Sequence, residues 1–405
     1  MKKLLMLGGS PSQVVAIKKA KEMGYYVITC DYLENNPGHQ FSDEYHNVST
    51  VDKEAVLALA KSLQIDGIIC YAADSGALTV AYVAENLGLP AFPYKSVEIL
   101  SNKELFRSFL KGNNFHVPRA KGYSTLEEAT SDFYNFKLPV MIKPIDASGS
   151  KGVSKIDSIE LLQEKVNEAL RFSRAKRFIV EEFIEKSGFQ VGVDCFSING
   201  CLVFSGIANH HFETKLLNPF LPIGKSFPTN MAMHLQEKVR NEIQRLIDLL
   251  HLKTGNCNVE VQIDCEDNVY ILDIGVRNSA DLTEVINHVQ KMDLIEYTIK
   301  AALGEDCSDL MMDEPKGFGS SYVVINEKSG LFKGIEFESE FQTNNIVKCE
   351  MFVKSDDQLI KSDEKLARLI LEFPSHIEML DKMENISNLI NIKIEESILE
   401  NIPTT

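Results

Sequence analysis

At 405 residues, the chain is too long for one small binding module, and ~150 residues per domain gives a prior of about three domains. Hydrophobic residues make up 44% and charged residues 25%, the balance of a globular protein with several cores, which excludes disorder as the main theme. The 58 Asp and Glu against 42 Lys and Arg leave a formal charge of −16, which repels a phosphodiester backbone unless basic residues are segregated, so nucleic acid is not expected as a partner.

The eight cysteines (Cys30, Cys70, Cys195, Cys201, Cys257, Cys265, Cys307, Cys349) are scattered, with no C-x-x-C pair. That pattern reads as reduced thiols in a cytoplasmic protein. MKKLLMLGGSPSQ imitates a signal peptide, but Gly8-Gly9-Ser10-Pro11 interrupts it before an apolar region of useful length. No later stretch reaches ~18 apolar residues, so no membrane partner is expected.

The first hundred residues alternate short apolar runs with amphipathic helices, as parallel βαβ units do. Residues 3–8 read as a buried strand. Ser10-Pro11-Ser12-Gln13 offers an N-cap, a first-turn Pro and a capping-box Gln for a helix ending near Gly24. Strands at 25–31 and 67–71 and helices at 52–63 and 75–87 continue the alternation. The pattern shifts around Pro90 and Pro93, which places a boundary near 95.

Ser101 to Glu104 (SNKE) predicts a second capping box and a helix to about 112. A strand at 118–122, a helix capped by Ser124 with Glu127, a strand at 139–144, a glycine-rich loop, a helix from Asp157 and a strand at 177–184 follow. Strands at 190–198 and 201–207 come next, then an irregular Pro-rich stretch at 218–228. A helix follows with Leu235, Val239, Ile243, Leu246 and Leu250 on one face, then a hairpin of strands at 257–264 and 268–274. After the acidic connector Gly304 to Glu314, a strand-rich segment with a helix near 363–372 is expected, and the polar tail past Met383 fits an edge strand or a loose end.

Three segments carry chemistry. In PVMIKPIDASGSKGV a buried strand ends at Lys143, and the small residues Ser148, Gly149, Ser150 and Gly152 with Lys151 form a loop whose amides can approach phosphate oxygens. RFIVEEFIE is a strand ending in Glu181, Glu182, Phe183 and Ile184 that could present backbone to an adenine edge. NVEVQIDCEDNVYILDIGVRNSAD places Glu260 and Asp273 on the two strands of a hairpin, where converging carboxylates repel unless a divalent cation joins them. Arg277, four residues on, is placed to meet a phosphoryl group. Softer substrate candidates are His210, His211 and Lys225 in the irregular region, and Asp74 after a strand.

In that order, Lys103, the Lys143 loop, E-E-F-I and the two-carboxylate hairpin closed by Arg277 resemble the ATP-grasp superfamily, which includes biotin carboxylase, glycinamide ribonucleotide synthetase and the carbamoyl phosphate synthetase large subunit. The resemblance runs from Lys2 to about residue 380. It implies an α/β and α+β chain with the ATP-grasp fold: a Rossmann-like parallel-sheet domain over 1–95, an ATP-grasp domain over 96–310 and a small strand-rich domain over 311–405. Within the ATP-grasp domain the smaller lobe takes about 115–187 and the larger about 188–310.

By position, the resemblance implies that Lys103 and Lys143 contact ATP phosphates under a flap from Ser148 to Gly152, and that Glu181 to Ile184 hold adenine. Glu260 and Asp273 then bind Mg²⁺, or Mn²⁺ in its place, and Arg277 stabilises an acyl phosphate. Two positions depart from the family. Gln190 stands where a Glu often holds ribose, and can still hydrogen-bond a hydroxyl. Gly275 replaces the Asn of E-I-N-P-R, removing a metal ligand for which Asn278 or water could substitute. The implied activity is an ADP-forming carboxylate–amine ligase with small-molecule carboxylate and amine substrates, and a homodimer is allowed. The alternatives are an ATP-binding regulatory or interaction protein with lapsed catalysis, and a nicotinamide-linked dehydrogenase, which leaves the hairpin unexplained.

Overall fold

A computed structural model describes residues 1–353 and 358–395. The N-terminal segment forms β1 (Lys3–Leu7), α1 (Val14–Glu22), β2 (Tyr26–Cys30), β3 (Glu44–His46), α2 (Lys53–Leu63), β4 (Gly67–Ile69) and α3 (Ala77–Leu87). The strands lie in the order β3-β2-β1-β4, all parallel. The expected capping box is present at Ser10 and Gln13, where a 3₁₀ turn leads into α1. The apolar run of β1 is continuous because both sheet faces are covered. Leu4 and Met6 pack with Ala16, Ile17 and Ala20 of α1, and Leu5 and Leu7 with Val56, Leu57 and Ala60 of α2 and with Val83 and Ala84 of α3.

Where only a shift in pattern was expected, α4 (Tyr94–Leu100) forms, followed by α5 (Lys103–Gly112). The cap of α5 is Asn102, one residue later than expected: its side-chain oxygen accepts from the Glu104 and Leu105 amides. Asn caps as well as Ser, and Glu104 is engaged elsewhere, 2.7 Å from Arg177. Next come β5 (Ala120–Tyr123), α6 (Leu126–Asp132), β6 (Val140–Pro144), β7 (Ser154–Ile156), α7 (Leu162–Phe172) and β8 (Phe178–Glu182). These strands form an antiparallel sheet, β5-β8-β6-β7. The cap of α6 is Thr125 and not Ser124.

The chain continues with β9 (Val191–Ile198), β10 (Cys201–Phe212), β11 (Pro222–Phe227), α8 (Met233–Leu249), β12 (Gly255–Ile263), β13 (Val269–Gly275), α9 (Leu282–Gln290) and α10 (Leu294–Ala302). The stretch expected to be irregular thus contains β11, paired with β10 and then with β14 (Phe318–Ile325). On one face of the sheet Val239, Ile243 and Leu246 of α8 pack against Val193, Val259 and Val261. On the other, α9 lies close enough that a Cβ at Gly206 would meet Ile286 and one at Gly319 would meet Val289. Helix α10 returns to the first sheet, where Ile295 and Ile299 join the core of β1 and α1.

The remaining elements are β15 (Gly330–Phe337), α11 (Ser339–Asn344), β16 (Ile346–Met351), β17 (Gln358–Ile360), β18 (Lys365–Phe373), α12 (His376–Glu384) and β19 (Ile390–Glu395). The helix expected near 363–372 is strand β18. Its short apolar run fits either state by periodicity, and pairing with β14 on one side and β16 on the other makes it a strand. Strands β14, β18 and β16 extend the larger lobe into one eight-stranded sheet, β13-β12-β9-β10-β11-β14-β18-β16, while β17-β15-β19 form a separate sheet. The tail past Met383 forms the edge strand β19 as far as Glu395, and the rest of it lies outside the described residues. Among the described residues all eight cysteines are free thiols, and no helix is long and apolar enough to cross a membrane.

Candidate active site

The Asp264 carboxylate closes a tight return by accepting from the Glu266 and Asn268 amides at 2.9 and 3.0 Å, and a one-residue register shift between Val261 and Glu260 then sets Glu260 directly opposite Asp273. Cross-strand partners share a sheet face, so the two carboxylates converge as expected. The Glu260 carboxylate has no hydrogen bond or ion pair among the described residues. Its pKa is raised, first by burial and then by the charge of Asp273. Burial pushes Asp273 upward, but Lys103, with Arg107 and Lys143, holds the carboxyl below its ordinary value. The Lys103 ammonium lies 3.2 Å from Asp273 and donates to the Ala147 carbonyl at 3.0 Å, linking the hairpin to the glycine-rich loop. No group of three or more His, Cys, Asp or Glu side chains suited to a metal is found among the described residues. A cation at the hairpin would therefore have two protein carboxylates and open positions.

Arg277 is held in a fork. Its Nε and Nη2 donate to the two Asp74 oxygens at 2.8 and 3.0 Å, and its Nη1 donates to Asn258 Oδ1 at 3.0 Å. Asn258 in turn donates to the buried Asp194 at 2.8 Å, and Asp194 also accepts from the Ser279 amide and the Thr283 hydroxyl. Burial raises the Asp194 carboxyl to about 6 against these bonds. The ion pair explains Gly275. A Cβ there would lie 2.5 Å from Asp74 Oδ1 and 2.9 Å from Arg277 Cζ. Glycine is thus required by the neighbouring fork; its φ is not among the positive values.

Lys143 and Glu181 are brought together, 2.6 Å apart. Glu181 is 2% exposed and also pairs with Arg107 of α5 at 2.9 Å. Burial opposes its charge, but Arg107 and Lys143 hold its carboxyl at about 2. Arg107, whose Nη2 donates to the Leu272 carbonyl at 2.7 Å, was not foreseen. Its position one helical turn after Lys103 was the available signal. In the adjoining segment Glu182 accepts from the Lys137 amide at 2.9 Å, the Phe183 ring lies under the Lys155 ammonium at 4.0 Å, and the Ile184 carbonyl accepts from Gln262 at 2.5 Å.

The loop between β6 and β7 reaches the larger lobe. Ser150 donates to the Phe220 carbonyl at 2.9 Å, and Asn218 donates to the Ser150 carbonyl at 2.7 Å. Ser148, Gly149 and Lys151 are exposed, while Gly152 has φ +67° and a Cβ there would strike Phe172 at 2.8 Å. The Gln190 carbonyl accepts from the His210 amide at 2.8 Å. His210 is buried with neither ring nitrogen partnered, and a Cβ at Gly192 would lie 2.3 Å from its Nε2. Burial, then Lys225, lowers its pKa to about 3. His211 reaches Ser226 Oγ at 2.9 Å and is lowered to about 4, again first by burial.

Lys225, opposite His210 in the sheet, donates to Ser279 and Asp281 at 2.8 Å each. Asn278 has no hydrogen bond to Glu260 or Asp273. It is fully buried and accepts from Thr298 Oγ1 at 3.0 Å.

Residues 136–286 match the family model described as ATP-grasp domain. The carbamoyl phosphate synthase large chain of Thermoanaerobacter sp. (strain X514) is 24% identical over 237 residues, which are 58% of this chain and 21% of that relative. The chain thus spans about a fifth of that relative's length. The solved L-amino acid ligase from Bacillus licheniformis has a similar fold, with a TM-score of 0.82, 17% identity and coverage of 98% of this chain and 99% of that one. The biotin carboxylase domain of Hydrogenobacter thermophilus 2-oxoglutarate carboxylase, solved as a dimer with MgADP, ADP and bicarbonate, has a TM-score of 0.73 at 17% identity, covering 97% and 91%. Residues 136–286 therefore match an ATP-grasp domain, and the chain as a whole shares the fold of these solved structures.

Proposed function

We propose that the chain is an ATP- and Mg²⁺-dependent ligase that phosphorylates a substrate carboxylate and passes the acyl group to an amine, releasing ADP and phosphate. The observation that carries this reading is the unpartnered Glu260 carboxylate set against Asp273, beside Lys103 and next to the oriented Arg277 guanidinium. Two facing carboxylates with one cation between them and only one of them paired fit a Mg²⁺ ion, which takes few protein oxygens and keeps the rest for phosphate and water; Mn²⁺ suits the same oxygens. Such an ion supplies neutralisation of charge on the transferring phosphoryl group. Lys103 and Lys143 would meet the phosphates, with the 148–152 loop above them. Glu181 to Ile184 and Gln190 would line the base and ribose, with the Glu181 carboxylate itself turned to Arg107 and Lys143 and only its backbone left for the nucleotide.

Arg277 needs no reorganisation to face developing negative charge, because Asp74 and Asn258 already fix its plane, and that is the main source of rate in a reaction that asks little covalent chemistry of the protein. His210, His211 and Lys225 would border the substrates, which are small molecules in the cytoplasm. The neighbouring dimer makes a homodimer worth testing by sedimentation. A second reading, nucleotide binding without turnover, is favoured by Gly275, which stands where the E-I-N-P-R pattern has an Asn. One experiment separates the two: incubation with ATP, Mg²⁺, hydroxylamine and a panel of carboxylates, in which hydroxylamine traps any acyl phosphate. Hydroxamate with stoichiometric ADP supports the ligase, and bound ATP that yields no ADP with any carboxylate overturns it.

A further inference from the structure

The loop between β6 and β7 is clasped by the 213–221 segment, which joins β10 to β11. Ser150 makes both bonds of the clasp: its hydroxyl donates to the Phe220 carbonyl at 2.9 Å, and its carbonyl accepts from Asn218 Nδ2 at 2.7 Å. It does so at φ +57°, directly after Gly149 at φ +67°. A residue with a Cβ persists in that left-handed region only where its surroundings fix it, and such residues gather at switching and binding segments. The 213–221 side of the clasp is itself anchored. Asn218 Oδ1 accepts from the Phe220 amide at 3.1 Å, so the Asn218 side chain is oriented by its own loop before it reaches Ser150. Beside it the Leu217 amide donates to Asp363 Oδ2 at 2.8 Å, in the turn between β17 and β18, and Leu216 is buried with Tyr322, Phe332 and Leu369.

We propose that Asn218 is a positioning residue that gates nucleotide exchange, and that Asp363 sets the gate from the strand-rich end of the chain. Opening the 148–152 loop breaks the two bonds of Ser150, while the base of the loop stays tied where Lys103 donates to the Ala147 carbonyl. The inference rests on the reading of this loop as the cover over the ATP phosphates. The clasp joins protein groups alone, so it holds the closed loop to the same extent with and without nucleotide. A contact that favours bound and free states equally shifts no binding equilibrium. The clasp therefore slows entry and exit by one common factor and leaves affinity unchanged, as a lid does when its opening limits the rate.

The test uses the full chain with Mg²⁺ and N-methylanthraniloyl-ADP, whose association and dissociation rates are read by stopped-flow fluorescence. Asn218→Ser stays neutral and keeps an oxygen for the Phe220 amide, but is too short to reach Ser150. It should speed both rates by roughly five- to tenfold, the worth of one hydrogen bond, with Kd within about twofold of the parent. Tryptic cleavage after the exposed Lys151, followed by mass spectrometry without nucleotide, should quicken as well. Asp363 has φ +60°, which glycine and asparagine both accept. Asp363→Gly should loosen the clasp, and Asp363→Asn, which keeps an acceptor for the Leu217 amide, should not. Near-ultraviolet circular dichroism checks each fold, and should Asn218→Ser not fold, the Asp363 pair carries the test. Parent rates or parent cleavage in Asn218→Ser overturn the gate alone, and so does a weaker Kd with an unchanged association rate, which makes Asn218 a nucleotide contact. Equal loosening by Asp363→Asn and Asp363→Gly overturns the part given to Asp363. A parent that binds no ADP overturns the nucleotide reading and the gate with it.

Discussion

Substituting Gly275 with alanine adds a single carbon, and the structure says what that carbon meets. The new Cβ would lie 2.5 Å from Asp74 Oδ1, while ordinary contact begins at 3.4 Å, so the carboxylate must withdraw by 3.4 − 2.5 = 0.9 Å. The same Cβ would lie 2.9 Å from Arg277 Cζ and 3.0 Å from its Nε, so the guanidinium must shift as well and the 2.8 Å bond between the two groups loses its alignment. The fork links two segments 203 residues apart, and its side chains are 19% and 30% exposed. A bidentate, charge-assisted pair in that setting contributes about 1–2 kcal/mol. Spread over 405 residues at ~2.1 cal/mol/K per residue, this moves Tm by only about 1–2 °C, so a double-mutant cycle in urea is the sharper assay.

Gly275→Ala and Asp74→Ala should each lose most of the fork energy, and together little more than either alone, a coupling of about 1–2 kcal/mol. In the hydroxamate assay Gly275→Ala should slow turnover by roughly 10²-fold with ATP affinity nearly unchanged, because Arg277 loses its orientation and the phosphate contacts do not. Additive stability effects, or a variant that turns over at the parent rate, would refute the reasoning.

Glu181→Gln leaves Arg107 and Lys143 as buried cations without their anion and should cost about 3–5 kcal/mol, read as a lower urea midpoint at pH 7. The Glu181 carboxyl sits near 2 in the fold against an ordinary 4.5, so its contribution is complete above about pH 4.5 and is lost as pH falls toward 2; urea midpoints across that window should fall in the parent and flatten in Glu181→Gln. His210 is neutral in the fold with a pKa near 3 against an ordinary 6.5, so the unfolded chain takes up the proton first as pH drops below 6.5. Stability should therefore decline from pH 6.5 toward 3, and His210→Gln should lessen that slope in the same titration. Glu260→Gln relieves repulsion with Asp273 and should leave Tm equal to or above the parent, yet abolish the added Tm that Mg²⁺ with ADP gives the parent, measured by scanning calorimetry; a full metal-dependent increment in the variant would remove Glu260 from the cation site.

What the chain order made legible was local. Strand period and the turn chemistry of Asp264 to Asn268 dictate the hairpin, but the turn's own register, Ile263 opposite Val269, would set Leu272 opposite Glu260, and only the bulge beside Glu260 brings Asp273 there. Small residues after Lys143 announce a loop open to backbone approach. Capping was legible to within one residue, at Asn102 for Ser101 and Thr125 for Ser124, because neighbouring polar residues compete for one amide at similar free energy. The state of β18 was not legible, since a short apolar run suits either period until neighbours pair with it.

By itself, then, the sequence determined most of the elements before β14 and their order, though not α4 or β11, and which residues carry charge beside small or apolar neighbours, because these depend on contacts a few residues apart. Only the tertiary structure decided how the charges are paired. Lys103 meets Asp273 across 170 residues, Arg277 meets Asp74 across 203, and Arg107 meets Glu181 across 74. Those pairings make Gly275 a packing requirement and turn the Glu181 carboxylate inward, while Asn278 meets Thr298 instead of the hairpin carboxylates. Coulomb and steric terms act through space over a few ångströms, and only the folded arrangement of lobes brings such distant positions within that range.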